Sequence, residues 1–128
     1  MDNPSLILLA VDRRLDHEVR LVLYGRSAVC LGFDHPPPEA ARTQDVDAII
    51  SFAQSRELEN DPGFWDAIEG ANAELAAQGL YITHLFSEAE IFLRRDWSTN
   101  LVPVSRPPLH WLRLFRPATV DLILTKMM

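Results

Sequence analysis

The stretch ARTQDVDAII, residues 41–50, decides how the rest of the chain is read. It places Asp45 and Asp47 two residues apart at the mouth of an apolar run. A carboxylate removed from water is costly unless something pairs with it, so the two either sit solvated at the end of a strand or hold a cation. Read as a strand, DVDAIISF puts Asp45, Asp47 and Ile49 on one face and Val46, Ala48 and Ile50 on the other. Carboxylates at i and i+2 on one face stand roughly 7 Å apart along the chain. Their oxygens can converge on one Mg²⁺, or on two ions about 3.5–4 Å apart. Magnesium keeps several waters and fills its shell from one or two carboxylates and substrate phosphates.

Upstream, VRLVLYG (19–25) is a β-branched and aliphatic run ending in a glycine, which predicts a strand. RSAVCLGF (26–33) then changes to helix formers and stops at Gly32. A strand, Gly-x-Ser and a helix N-terminus make a natural phosphate site, because free N–H groups and the helix dipole both favour an anion. DHPPPEAARTQ (34–44) is expected to be loop, since three prolines deny both helix and central strand. That loop delivers Arg42 and Thr43 to the aspartate pair.

Outside this block, PSLILLAVDRRLDHEV (4–19) has apolar residues near helical spacing, with Pro4 at a plausible first turn. PGFWDAIEGANAELAAQG (62–79) is expected to be a helix opened by Pro62 and ended by Gly79, with Phe64, Ile68, Ala71 and Leu75 as its stripe. LYITHLF (80–86) and AEIFLRR (89–95) read as two strands joined at Ser87-Glu88, and WLRLFRP (111–117) as another. Pro117 opens a last helix carrying Asp121 and Lys126, whose ammonium would meet a triphosphate. The result is one domain, residues 1–128, of α/β (α+β) class with helices packed on a sheet.

Composition narrows the function classes. Hydrophobic residues make up 48% and charged residues 23%, an ordinary globular balance. The net charge of −6 lacks the global basic signature of a nucleic-acid binder, while leaving room for local nucleotide binding through a cation or a few arginines. Cys30 is the only cysteine, which excludes an internal disulfide and a cysteine zinc cluster and fits a reducing compartment. His17, His35, His84 and His110 show no HxH or HxxxH spacing, which argues against zinc. No apolar run reaches the roughly 18 residues of a membrane span. The start of the sequence shows no basic leader followed by a small-residue cleavage site, so a cytoplasmic protein without membrane contact is expected. VDLILTKMM ends the chain inside an apolar helix with no capping residue. Either the helix ends with the chain or the protein has been cut short; the missing cap favours the second.

LVLYGRSAVCL followed by ARTQDVDAII resembles the core signature of the nucleotidyltransferase superfamily that includes DNA polymerase β. The nearer likeness is to bacterial nucleotidyltransferase-like proteins related to abortive-infection toxins. These carry Arg and Thr or Ser before the paired aspartates, and a late helix with an acidic residue and a lysine, as in VDLILTKM. The resemblance covers the chain from about Glu18 to its end and implies a mixed β-sheet flanked by helices. It implies that Gly25, Arg26 and Ser27 approach the triphosphate, with Arg42 and Thr43 beside them. Asp45 and Asp47 would bind Mg²⁺, as one ion or two. Lys126 would touch the nucleotide or the acceptor, with Asp121 orienting it. Arg26 stands where the family prefers a small residue. The superfamily's third carboxylate comes from a later strand, for which Glu88 and Glu90 are the candidates, Glu90 being the metal ligand assigned here, and Asp96 a poorer one.

Three functions follow. The first is Mg²⁺-dependent transfer of a nucleotidyl group from an NTP to a hydroxyl of RNA, protein or a small molecule. In a toxin–antitoxin pair the acceptor would be tRNA or a host protein, and a cognate antitoxin would be the partner. The second is a non-catalytic nucleotide-binding or regulatory module on the same fold. The third is an interaction domain whose aspartates are simply solvated. An acid on the strand next to the aspartate pair discriminates the first from the second.

Overall fold

A computed structural model describes residues 1–126, with the side chains of Thr83, His84, Thr125 and Lys126 outside that description. The fold is mixed α/β: a five-stranded sheet flanked by helices. In chain order the elements are α1 (Asn3–Asp12), β1 (Val19–Tyr24), α2 (Gly25–Gly32), α3 (Pro38–Ala41), β2 (Asp45–Ile50) and α4 (Phe52–Glu59). There follow α5 (Pro62–Leu75), β3 (Tyr81–Ser87), β4 (Val102–Val104), β5 (Leu112–Arg116) and α6 (Thr119–Lys126).

The sheet order is β3-β2-β1-β5-β4. β1 runs antiparallel to β2 and parallel to β5; β2 runs parallel to β3, and β4 antiparallel to β5. The register pairs Val22 with Ile49, Leu23 with Ala48 and Tyr24 with Asp47. Period-two alternation then sorts the side chains. Leu21, Leu23, Val46, Ala48, Ile50, Leu112 and Leu114 pack against α1, α2 and α5 in the main core. Val22 and Ile49 lie on the other face in a smaller cluster with Ile91 and Trp97. One extra residue between Ile82 and Leu85 shifts the β2–β3 register, so both of those side chains face the helices.

Local chemistry explains the boundaries. Asp2 caps α1 by accepting from the Ser5 N–H at 2.7 Å, and Asp61 caps α5 by accepting from Phe64 at 3.0 Å. Pro62 opens α5, which ends through a 3₁₀ turn at Gly79, left-handed at φ 71°. Phe64, fully buried, contributes about 1.5–3 kcal/mol by leaving water. α1 stops at Asp12, earlier than the periodicity of 4–19 indicates. The Asp12 carboxylate leaves the helix to accept the backbone N–H groups of His110, Trp111 and Leu112 at 2.9, 2.7 and 2.9 Å.

Two further expectations differ from the fold. AEIFLRR is not a strand: Glu88–Glu90 form a 3₁₀ turn, and Ile91 and Leu93 pack onto the sheet face instead of pairing along its edge. The proline loop is not wholly loop, because Pro38, whose fixed φ suits a first helical position, starts the single turn α3. α4 and β4 lie in segments that the sequence left unassigned.

Candidate nucleotide site

The site is built where β1 gives way to α2 beside β2. Gly25 takes φ 68°, a conformation that costs a side-chain-bearing residue about 1–2 kcal/mol. A Cβ on Gly25 would lie 3.3 Å from Asp47 Oδ2, so the aspartate carboxylate borders the space that a side chain at position 25 would take. Asp45 and Asp47 are both half-exposed on one strand, and the intervening Val46 is buried on the opposite face. Thr43, buried at the strand mouth, donates its hydroxyl to Asp45 Oδ1 at 3.1 Å and orients that carboxylate.

Tyr24 is the cross-strand partner of Asp47. Partial burial pushes its hydroxyl above the ordinary tyrosine range, and the neighbouring Asp47 charge adds to the shift. Its ring packs edge-on against Phe86 at 5.4 Å. The N-cap residue Tyr24 makes no side-chain bond to the first turn of α2. Ser27 is buried and turned inward. Its hydroxyl donates to the Tyr24 carbonyl at 3.0 Å and lies 3.5 Å from the Asp47 carbonyl, so it braces the β1–α2 junction from behind. Arg26, in the first turn of α2, and Arg42, shortly before β2, are exposed.

The remaining expected residues lie elsewhere or serve other contacts. Asp121, on the first turn of α6, is fully buried. It accepts from the backbone N–H of Arg94 at 3.0 Å and from its guanidinium at 3.1 and 3.2 Å. Glu88 accepts from the Phe52 N–H at 2.7 Å and the Trp97 indole at 3.0 Å. Glu90 is exposed and accepts from the Ser87 N–H at 3.3 Å, closing a capping box on its own turn. Asp96 is exposed, next to the Trp97 turn. The side chain of Lys126 lies outside the described residues. α6 itself approaches the site: Thr119, Leu122 and Ile123 share a depression of about 300 Å³ with Gly25, Val29 and Phe33.

β3 runs beside the aspartates, pairing Tyr81 with Asp45 and His84 with Asp47, and has no acidic residue from Tyr81 to Ser87. Two half-exposed carboxylates suffice for one magnesium ion completed by phosphate oxygens and water. Among the described residues no group of three His, Cys, Asp or Glu side chains is arranged to hold a metal.

Two functional supports escaped the sequence reading. Asp12 pins β5, and Arg106 and Arg116 close the C-terminus of α2 by donating to the carbonyls of Phe33 and Gly32 at 2.6 and 3.0 Å. Both are long-range, and only the placement of lone charges in apolar surroundings hinted at them. Cys30 is buried and its thiol is pushed up to about 11 by that burial, the behaviour of an inert core residue. Among the described residues no helix is long and apolar enough to cross a membrane. No family model matches the chain, and no curated protein or solved structure matches it either.

Proposed function

We propose that the chain binds a nucleoside triphosphate as its magnesium complex, as a non-catalytic module on a nucleotidyltransferase-like fold. The observation that carries this reading is the placement of Asp47 Oδ2 3.3 Å from where a Cβ on Gly25 would stand, which sets a carboxylate beside a side-chain-free helix start. The N–H groups at the start of α2 would face the phosphates, and the missing side chain at Gly25 lets them approach the backbone. Asp45, oriented by Thr43, and Asp47 would hold the magnesium ion, which supplies charge neutralisation of the phosphates. The absence of an acid on β3 is the reason for preferring binding over transfer, because nothing there completes a second metal position.

A second reading retains the chemistry: Mg²⁺-dependent nucleotidyl transfer to tRNA, a protein or a small molecule, as a toxin held by a cognate antitoxin. The approach of α6, the helix that carries Lys126, to Gly25 favours it.

Thermal melting with and without Mg²⁺ and each NTP tests the shared part. A ligand at a hundred times its dissociation constant stabilises by about 2.7 kcal/mol. That stabilisation should be present in the wild type and absent in Asp45→Asn and Asp47→Asn; equal shifts in all three would remove both readings. Incubation with labelled NTPs, Mg²⁺ and total cellular RNA and protein then separates them, since transfer of label selects the enzyme and binding without transfer selects the module.

A further inference from the structure

The face of the sheet turned away from α1, α2 and α5 is covered only in part. Ile91 and Trp97 pack over Val22 and Ile49, and Leu93, Leu101 and Phe115 pack against that cluster. Beside this cover, between β1, β5 and α4, lies a cavity of about 390 Å³. That volume falls in the range of roughly 300–1,000 Å³ typical of small-molecule sites. Val22, Leu58, Leu101 and Phe115 give it an apolar lining.

Its charged groups are unequal. Among the described lining residues Glu18, Glu57 and Asp61 are acidic and Arg20 is the only cation. Arg20 is already placed, with its guanidinium 4.7 Å from the centre of the Phe115 ring. Asp61 is held by His17 at 2.7 Å and by the N-terminus of α5. Glu18 lies 3.9 Å from Arg113. Glu57, exposed on α4, meets no cation among the described residues. The cavity therefore combines an apolar lining, an aromatic ring that already stacks a planar cation, and one carboxylate without a counter-charge.

We propose that this cavity is a binding site for a small organic cation with a flat apolar body, the body lying against Val22 and Leu101 and the ammonium meeting Glu57. With Asp61 held by His17 and Glu18 close to Arg113, Glu57 is the lining carboxylate left to meet the ligand's charge. The site is separate from the aspartate pair. Arg20 lies four residues back along β1 from Tyr24, the partner of Asp47, so roughly 13 Å of strand separates the two. Its test accordingly stands apart from the nucleotide reading.

Three probes share one ring and differ in charge: tryptamine, indole and indole-3-acetate. Each is titrated into the whole chain at low salt, followed by amide NMR shifts and calorimetry. Tryptamine should move the signals of Val22, Ala53, Leu58 and Leu101 and bind about tenfold more tightly than indole, with indole-3-acetate weakest. Glu57→Gln, on an exposed helix position, should leave the melting midpoint unchanged and reduce tryptamine to the affinity of indole. Raising the salt to about 1 M, where the screening length is near 3 Å, should do the same in the wild type. Absence of tryptamine binding, indole-3-acetate binding as tight as tryptamine, shifts confined to other residues, or an unchanged affinity in Glu57→Gln would each overturn the proposal.

Discussion

Gly25 starts α2 beside Asp47 of β2: the glycine sits at φ 68°, and a methyl group added to it would stand 3.3 Å from the aspartate Oδ2. Gly25→Ala should therefore cost about 1–2 kcal/mol of stability through the backbone conformation alone. Urea unfolding measures this. The penalty should persist in an Asp47→Ala background, because strain in φ does not depend on the neighbouring carboxylate. A penalty that vanishes there would assign the effect to crowding instead.

Asp12 ties the end of α1 to the start of β5 through three backbone N–H groups. Burial pushes its carboxyl up, and those donors, with a smaller contribution from His110, outweigh burial and hold it below the ordinary aspartate value. A carboxyl depressed in the folded state stabilises above its unfolded value of about 3.9, and that contribution is lost as pH falls through the folded value. Asp12→Ala should cost about 1–3 kcal/mol at pH 7, since it strands buried donors. It should also flatten the loss of stability below about pH 4, as read from urea midpoints across pH.

His17 lies between Asp16 and Asp61, 2.7 Å from each. The bond to Asp16, followed by that to Asp61, raises its imidazole above the ordinary histidine value. A raised group stabilises fully below its unfolded value of about 6.5 and loses that contribution as pH rises through the folded value. Urea midpoints of the wild type should fall on passing from pH 6 to above that raised value, and His17→Gln should show no such fall. Parallel curves for the two proteins would count against the His17 bridge.

Asp121 holds Arg94 from a fully buried position, joining α6 to the segment that covers the open sheet face. Asp121→Asn keeps the shape and removes the charge. Amide exchange should accelerate in residues 91–101 and in α6 together, with a lower melting midpoint. Faster exchange in α6 alone would show that the pair does not fasten the cover.

The parts legible in the sequence were those governed by local rules. Alternation placed Asp45, Asp47 and Ile49 opposite Val46, Ala48 and Ile50, and the core sorts them that way. The change of residue type at Gly25 marked a strand giving way to a helix, and the junction lies one residue earlier than read, with β1 ending at Tyr24 and α2 starting at Gly25. Ile91, Phe92 and Leu93 misled because β-branched and aromatic residues serve equally well as a lid on a sheet, and composition does not distinguish the two uses. Ser51 and Gln54 did carry a readable signal for α4, the serine hydroxyl accepting from the Gln54 N–H at 3.1 Å. The inward turn of Ser27 and the Arg94–Asp121 pair were not legible, because each depends on groups brought close only by the finished fold.

The sheet order also fixes a sequence of events on the ribosome. β1 is central, yet its partner β5 pairs Val19 with Leu112, so more than ninety residues of synthesis separate the two. β1, β2 and β3 are all available once Ser87 has emerged. Until β5 arrives, the nascent chain carries β1 as a temporary edge with its peptide groups unpaired, and α2 lacks the two arginines that close its C-terminus. The final third of the chain thus acts as a seal on a half-built sheet, and a stall in that stretch leaves an open strand at the point where a second nascent chain can add to it.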